Sequence, residues 1–128
     1  MSAGQQAPGA PRLGALETQV MDLLWDHGPS TIRGLIDRLP GAPAYTTIAT
    51  VLTNLHRKGL VDSRKQGRAT VYSARGTREE HVASQMTHAL GSSRDRAASI
   101  LHFAESIPDD ELDLLRDYLR RRDGEGTR

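Results

Sequence analysis

The chain has 128 residues, a net charge of +1, aromatic side chains at 4% and no cysteine. A single small domain with a helical extension suits that length, the core must be aliphatic, and disulfides, cysteine-based zinc sites and thiol redox sensing are excluded. No apolar run approaches the roughly 18 residues of a membrane span, and residues 1–12 lack the basic start and apolar run of a secretory signal, so no membrane insertion and a cytoplasmic location are expected.

Residues 1–12 read as a disordered arm rich in Gly, Ala, Pro and Gln. Gly14 then serves as an N-cap with Glu17 at the third helical position, and Leu13, Leu16, Val20, Leu23 and Leu24 recur at helical spacing to about Asp26. His27-Gly28-Pro29-Ser30 stops that helix. Thr31 caps a second, carrying Ile32, Leu35, Ile36 and Leu39 before Pro40-Gly41-Ala42-Pro43. A third spans about Tyr45 to Lys58, with Gly59 as its C-terminal stop. Residues 60–65 and 69–73 read as strands joined through Gln66-Gly67-Arg68. Thr77 and Glu80 form a capping-box pattern for a helix over about 78–90, and Gly91-Ser92-Ser93 breaks it. Helices over about 94–105 and from Pro108 to about Arg122 follow, with 123–128 as a flexible tail.

Charge is unevenly divided. Residues 1–76 hold nine Lys/Arg and five acids, whereas residues 77–128 hold eight Arg and eleven acids. A basic front half joined to an acidic back half fits a nucleic-acid-binding domain followed by a protein-interaction region.

The third helix carries the chemistry. Ile48, Val51, Leu52 and Leu55 share one face, while Thr46, Thr50, Thr53 and Arg57 cluster opposite, with Thr47 and Asn54 on the flanks, in a strip that ends at Arg57 and Lys58. Short hydroxyl side chains let a helix backbone approach base edges, and Asn pairs with adenine. Free N–H groups near Tyr45, Thr46 and Thr47 suit a phosphate. A solvated helix face is the plainer alternative, although so many β-branched threonines make a mediocre helix. Arg64, Lys65 and Arg68 surround the tip of the hairpin, placed to follow a phosphate backbone or enter a minor groove, or simply to keep an edge hairpin soluble. The order of helix, short helix, amphipathic helix and basic hairpin favours DNA. The expected fold is mostly α with a small β-hairpin: a winged helix-turn-helix over 13–76, followed by a helical dimerisation domain over 77–122.

Three short C-terminal helices carry more apolar surface than they can bury alone. Val82, Met86, Ala89 and Leu90 share a face of the first, Ile100, Leu101 and Ala104 a face of the second, and Leu112, Leu115, Tyr118 and Leu119 a stripe on the third. A partner chain is the simplest way to cover them, and packing back onto the first domain is the alternative.

Leu13-Gly14-Ala15-Leu16-Glu17, Val20-Met21-Asp22-Leu23-Leu24-Trp25, Ala44-Tyr45-Thr46-Thr47-Ile48-Ala49-Thr50-Val51-Leu52, Lys58-Gly59-Leu60-Val61 and Gly67-Arg68-Ala69-Thr70-Val71-Tyr72 together resemble the penicillinase-repressor (BlaI/MecI/CopY) family across about residues 13–122. The resemblance implies a homodimer, joined through the C-terminal helices, that represses transcription from an inverted-repeat operator in double-stranded DNA. In that light the dimer-forming set is Val82, Met86, Leu90, Ile100, Leu101, Phe103, Leu112, Leu115, Tyr118 and Leu119. The DNA-contacting set is Tyr45, Thr46, Thr47, Thr50, Asn54, Arg57, Arg64, Lys65 and Arg68. The penicillinase branch is released by cleavage of an Asn-Phe bond in the dimerisation region through a membrane sensor-protease system. The matching bond here is His102–Phe103, where Phe103 agrees and His102 departs. The copper-responsive branch uses C-terminal cysteines, which this chain lacks.

Two rival functions stay open at this level: a regulator that senses a small molecule or haem, and a winged-helix module that binds protein rather than DNA. His81 and His88 are seven residues apart and read as solvated rather than as ligands. No cofactor or metal is expected. No nucleophile elbow or other catalytic motif is present, so the chain does not read as an enzyme.

Overall fold

The structure, a computed structural model, describes residues 13–126; the expected arm at 1–12 and the last two residues lie outside that range. Its elements in order are α1 (Ala15–His27), α2 (Ile32–Arg38), α3 (Tyr45–Arg57), β1 (Val61–Gln66), β2 (Ala69–Ala74), α4 (Arg78–Gly91), α5 (Arg96–Ser106) and α6 (Asp109–Gly126).

Local chemistry sets most of the boundaries. Gly14 N–H donates to the Glu17 carboxylate at 2.9 Å, and the Thr31 hydroxyl accepts from Gly34 N–H at 3.0 Å. At the start of α4 the box is reciprocal, with Thr77 N–H on Glu80 Oε1 and Glu80 N–H on Thr77 Oγ1. Helix α3 ends in a Schellman pattern: Leu60 N–H reaches Leu55 O and Gly59 N–H reaches His56 O, both at 3.0 Å, with Gly59 at φ 80°.

Val20, Met21 and Leu24 of α1, Ile32, Leu35, Ile36 and Leu39 of the α2 segment, Ile48, Val51, Leu52 and Leu55 of α3, and Val61 of β1 form one buried cluster. It is aliphatic apart from Met21, as the composition requires. The two strands pair antiparallel from Val61↔Ala74 to Gln66↔Ala69, leaving a two-residue loop of Gly67 and Arg68. The expected turn included Gln66, which instead joins the ladder. Gly67 sits at φ 64°, as a glycine at the first position of such a loop does. Ser30 adds an isolated bridge to β2, exchanging backbone hydrogen bonds with Tyr72 at 2.9 and 2.8 Å. That bridge fastens the hairpin to the helical part.

Two further sequence expectations, the start of α5 and the end of α6, need correction. Helix α5 starts at Arg96 rather than 94, because the Asp95 side chain accepts from Ala98 N–H and makes Asp95 the cap. The tail expected to fray from 123 is helical to Gly126. The pairs Asp113–Arg116 and Asp117–Arg120 line the helix, no proline stops it, and Gly124 within it costs only about 1 kcal/mol relative to Ala, with Gly126 its last residue. The chain forms two compact units that divide after His88, inside α4. Trp25 Nε1 donates to Gly76 O at 3.0 Å, the Arg78 guanidinium lies 5.2 Å over its ring and pairs with Asp22 and Asp26, and the His81 ring is 5.6 Å away. The first turns of α4 therefore pack against α1. His81 is packed on Trp25 rather than simply solvated.

The second unit, from Ala89 onward, contains the end of α4 with α5 and α6. It has no fully buried residue among those described. No described helix is long and apolar enough to cross a membrane.

Glu17 also ties α1 to the end of α3, its carboxylate accepting from Lys58 Nζ at 2.9 and 3.2 Å. Partial burial pushes the Glu17 carboxyl up, but the Gly14 N–H and the Lys58 ammonium outweigh it and hold the group below the usual carboxylate range. A carboxyl lowered in the folded state contributes stability above its unfolded pKa and loses that contribution as pH falls through the folded value. Glu17→Gln is therefore expected to lower the unfolding free energy by about 1 kcal/mol at neutral pH. In urea titrations the gap to wild type should close as pH falls below about 4.

Candidate nucleic-acid interface

Burying Ile48, Val51, Leu52 and Leu55 forces the opposite side of α3 outward. Tyr45, Thr46, Thr47, Thr50 and Arg57 are exposed there, while Asn54 is half-buried. The Asn54 Oδ1 accepts from Arg57 Nη1 at 3.2 Å, so the amide and the guanidinium are held together on one edge of the strip. Thr53 donates its hydroxyl to Ala49 O at 3.0 Å, which leaves its oxygen as an acceptor.

The hairpin supplies the second half of the surface. Arg64, Lys65 and Arg68 are exposed. Successive strand side chains point to opposite faces, so Arg64 and Lys65 charge both sides of the hairpin, with Arg68 at its tip. The hairpin's acid, Asp62, is taken up by Arg75, whose Nη2 and Nε reach Oδ1 at 2.6 and 3.1 Å. That hydrogen bond holds the Asp62 carboxyl below the usual range.

Ion pairing separates two classes of cation in the first unit. Lys58, Arg75 and Arg78 each pair with a carboxylate, Lys58 with Glu17, Arg75 with Asp62, and Arg78 with Asp22 and Asp26. Arg33, Arg57, Arg64, Lys65 and Arg68 make no ion pair among the described residues. These cations of α2, α3 and the hairpin thus have no ion-pair partner among the described residues, the arrangement that gives a surface its attraction for polyanions.

Lys58 departs from the sequence reading, which ended the α3 strip in Arg57 and Lys58. One further residue of helix rotation turns Lys58 toward α1 and the Glu17 carboxylate. Arg33 is the residue that sequence reasoning missed. Its guanidinium lies 5.7 Å over the ring of Tyr45, at the start of α3. In the sequence Arg33 is one polar residue on a short helix, and only the crossing of α2 and α3 brings it beside the α3 N-terminus.

The residues expected to form the dimer are also placed. Val82, Met86, Ile100, Leu101, Phe103, Leu115, Tyr118 and Leu119 are exposed, together with Leu114, whereas Leu90 and Leu112 are half-buried. His102 and Phe103 lie within α5, His102 with 84% of its side chain exposed. Among the described residues no group of three or more His, Asp or Glu side chains is placed to hold a metal ion.

Comparison with known proteins matches residues 13–121 to the family described as penicillinase repressor. The chain is 40% identical over 124 residues to the transcriptional regulator BlaI of Mycobacterium tuberculosis, in strains CDC 1551 / Oshkosh and ATCC 25618 / H37Rv, covering 91% of this chain and 90% of the relative. The solution structure of the DNA binding domain of the repressor BlaI is similar at 26% identity and a TM-score of 0.50, covering 58% of this chain and 93% of that one. With a winged helix, a hydroxyl-lined α3 and this match across nearly the whole described chain, the protein belongs to the penicillinase repressor family.

Proposed function

We propose that the protein is a DNA-binding transcriptional repressor that acts as a homodimer on an inverted-repeat operator. The observation that carries DNA binding is the segregation of charge: Lys58, Arg75 and Arg78 pair with carboxylates, whereas Arg33, Arg57, Arg64, Lys65 and Arg68 have no ion pair among the described residues. In this reading α3 enters the major groove with Thr46, Thr47, Thr50 and Asn54 near base edges or phosphates. Tyr45, Arg57, Arg64, Lys65 and Arg68 hold the backbone, and Arg33 joins them through its stack on Tyr45. Two-fold symmetry sets the half-sites about one helical turn, or a multiple of it, apart.

Dimerisation rests on the apolar side chains that α4, α5 and α6 leave exposed. Burying one such side chain is worth about 1.5–3 kcal/mol, and a second copy offers the same stripe in return. Release by cleavage at or near His102–Phe103, through a membrane sensor-protease system, belongs to the same reading. Because that bond lies in a helix, α5 must open locally before a protease can take it as extended chain.

One observation favours an effector-responsive variant of this function. A groove of about 450 Å3, lined by Met21, Trp25, Leu60, Arg75 and His81 among others, lies where α4 leaves the winged helix. Its volume falls within the roughly 300–1,000 Å3 usual for small-molecule sites. A compound that raises the melting temperature of the wild type but not of His81→Ala would support that variant; screens that find none, haem included, would count against it.

For DNA binding, log K is expected to fall linearly with log salt at about 0.9 per phosphate neutralised. Replacing Arg64, Lys65 and Arg68 by Ala should flatten that slope by about 0.9 for each phosphate that is no longer neutralised, while leaving the circular dichroism spectrum unchanged. Affinity that ignores ionic strength would contradict DNA binding. For dimerisation, the double variant Leu115→Asp, Leu119→Asp should sediment as a monomer and lose operator affinity, and a variant that stays dimeric would move the interface elsewhere.

A further inference from the structure

We propose that the notch between α3 and the hairpin is a seat for one phosphodiester of the DNA, held by His56, Ser63 and Tyr72 and tightened when His56 takes up a proton. The proposal rests on the DNA-binding reading above and adds a site that the α3 strip and the hairpin tip do not contain.

The notch has a volume of about 190 Å3 and is lined by Leu52, Thr53, His56, Ser63 and Tyr72. Its position follows from strand register. Ser63 lies directly opposite Tyr72, on the hairpin face that begins with Val61 and Ala74 against the core and ends outward with Lys65 and Thr70. That face looks toward α3, where Leu52 is fully buried and forms the floor. A strand of DNA lying between the helix strip and the hairpin would run along this line, with Lys65 one alternate position farther out.

The lining fits an anion better than other ligands. The Ser63 hydroxyl, the Tyr72 hydroxyl and the His56 imidazole make no hydrogen bond within the described residues, and each can donate to an anionic oxygen. Thr53 has already committed its proton to Ala49 O. Among the described residues no carboxylate lines the notch, which disfavours a metal cation, and Leu52 supplies its aliphatic floor.

Charge around His56 points the same way. The acid that acts on it is Asp62 of β1, which Arg75, just beyond β2, already binds at 2.6 Å. Arg57 follows it on α3, and Tyr72 faces it from β2. A phosphate entering beside His56 therefore meets an Asp62–Arg75 pair whose carboxylate is already taken up, and any anion in contact with an imidazole favours its charged form. Imidazole is the side chain that ordinarily changes charge between about pH 5 and 8. Since bound phosphate favours the protonated form, affinity must rise as pH falls.

The test measures affinity of the full-length protein for a mixed-sequence DNA duplex by fluorescence anisotropy at constant ionic strength, at about pH 8 and about pH 6. Wild type is expected to bind about fivefold tighter per protomer at the lower pH, with a salt slope steeper by about 0.9. His56→Gln keeps a donor but gains no charge, so it should lose about fivefold of the wild-type gain in affinity between the two pH values while its melting curve matches wild type. Arg68→Ala should lose affinity at both pH values and keep the pH slope. Ser63→Ala should weaken binding at both, most at the lower pH. His27, His81, His88 and His102 are common to all these proteins and cancel in the comparison. A His56→Gln variant that keeps the wild-type pH slope would overturn the seat while leaving DNA binding intact. A wild type that binds no duplex at all would overturn both. Inorganic phosphate that shifts the His56 ring resonances as strongly as the duplex does would reassign the seat to free phosphate and overturn the phosphodiester assignment.

Discussion

Ile48, Val51, Leu52 and Leu55 lock one side of α3 into an aliphatic core, and nearly everything else in the first unit depends on that lock. A helix of 13 residues cannot bury one face without presenting the other. Here the other face carries short hydroxyls and an amide instead of the long charged side chains usual on a solvated helix. The cost is intrinsic: four threonines weaken the helix, and tertiary burial of the apolar face compensates. The hairpin is fixed to the same core through Val61 and through the Ser30–Tyr72 bridge, so its basic tip holds a set position relative to the α3 strip.

Electrostatics divides the first unit in a similar way. Acids compensate one set of cations: Glu17 pairs with Lys58, Asp62 with Arg75, and Asp22 and Asp26 with Arg78. Most of these pairs are exposed and contribute little to stability individually. Their larger consequence is the set of cations left without an ion pair among the described residues. The Arg78 pair has a mechanical role as well, because with Trp25 it fastens the first turns of α4 to α1.

Much of this was legible in the sequence. The caps at Gly14, Thr31 and Thr77, the stop at Gly59 and the two faces of α3 all follow from local spacing and side-chain type, and the family likeness was carried by the same segments. What escaped depended on contacts between distant segments. Lys58 continues the basic end of α3 in a linear reading, yet one residue of helix rotation delivers it to Glu17. Arg33 and His56 are unremarkable on their own helices and gain meaning from the crossing of α2 over α3 and from the hairpin folding beside α3. The docking of the start of α4 on α1 escaped because it depends on Trp25, whose indole reaches Gly76 across 51 residues of chain. The end of α6 escaped because glycine lowers helical preference without forbidding it.

The central claim is that α3 and the hairpin form one DNA-binding surface. Its most direct test is an amide NMR spectrum of the intact protein titrated with operator DNA recovered by genomic selection. The account predicts that the largest shifts fall on Arg33, Thr46, Thr47, Thr50, Arg57, Arg64, Lys65 and Arg68, with the buried amides of α1 little affected. Shifts confined to α5 and α6, or none at saturating DNA, would contradict it.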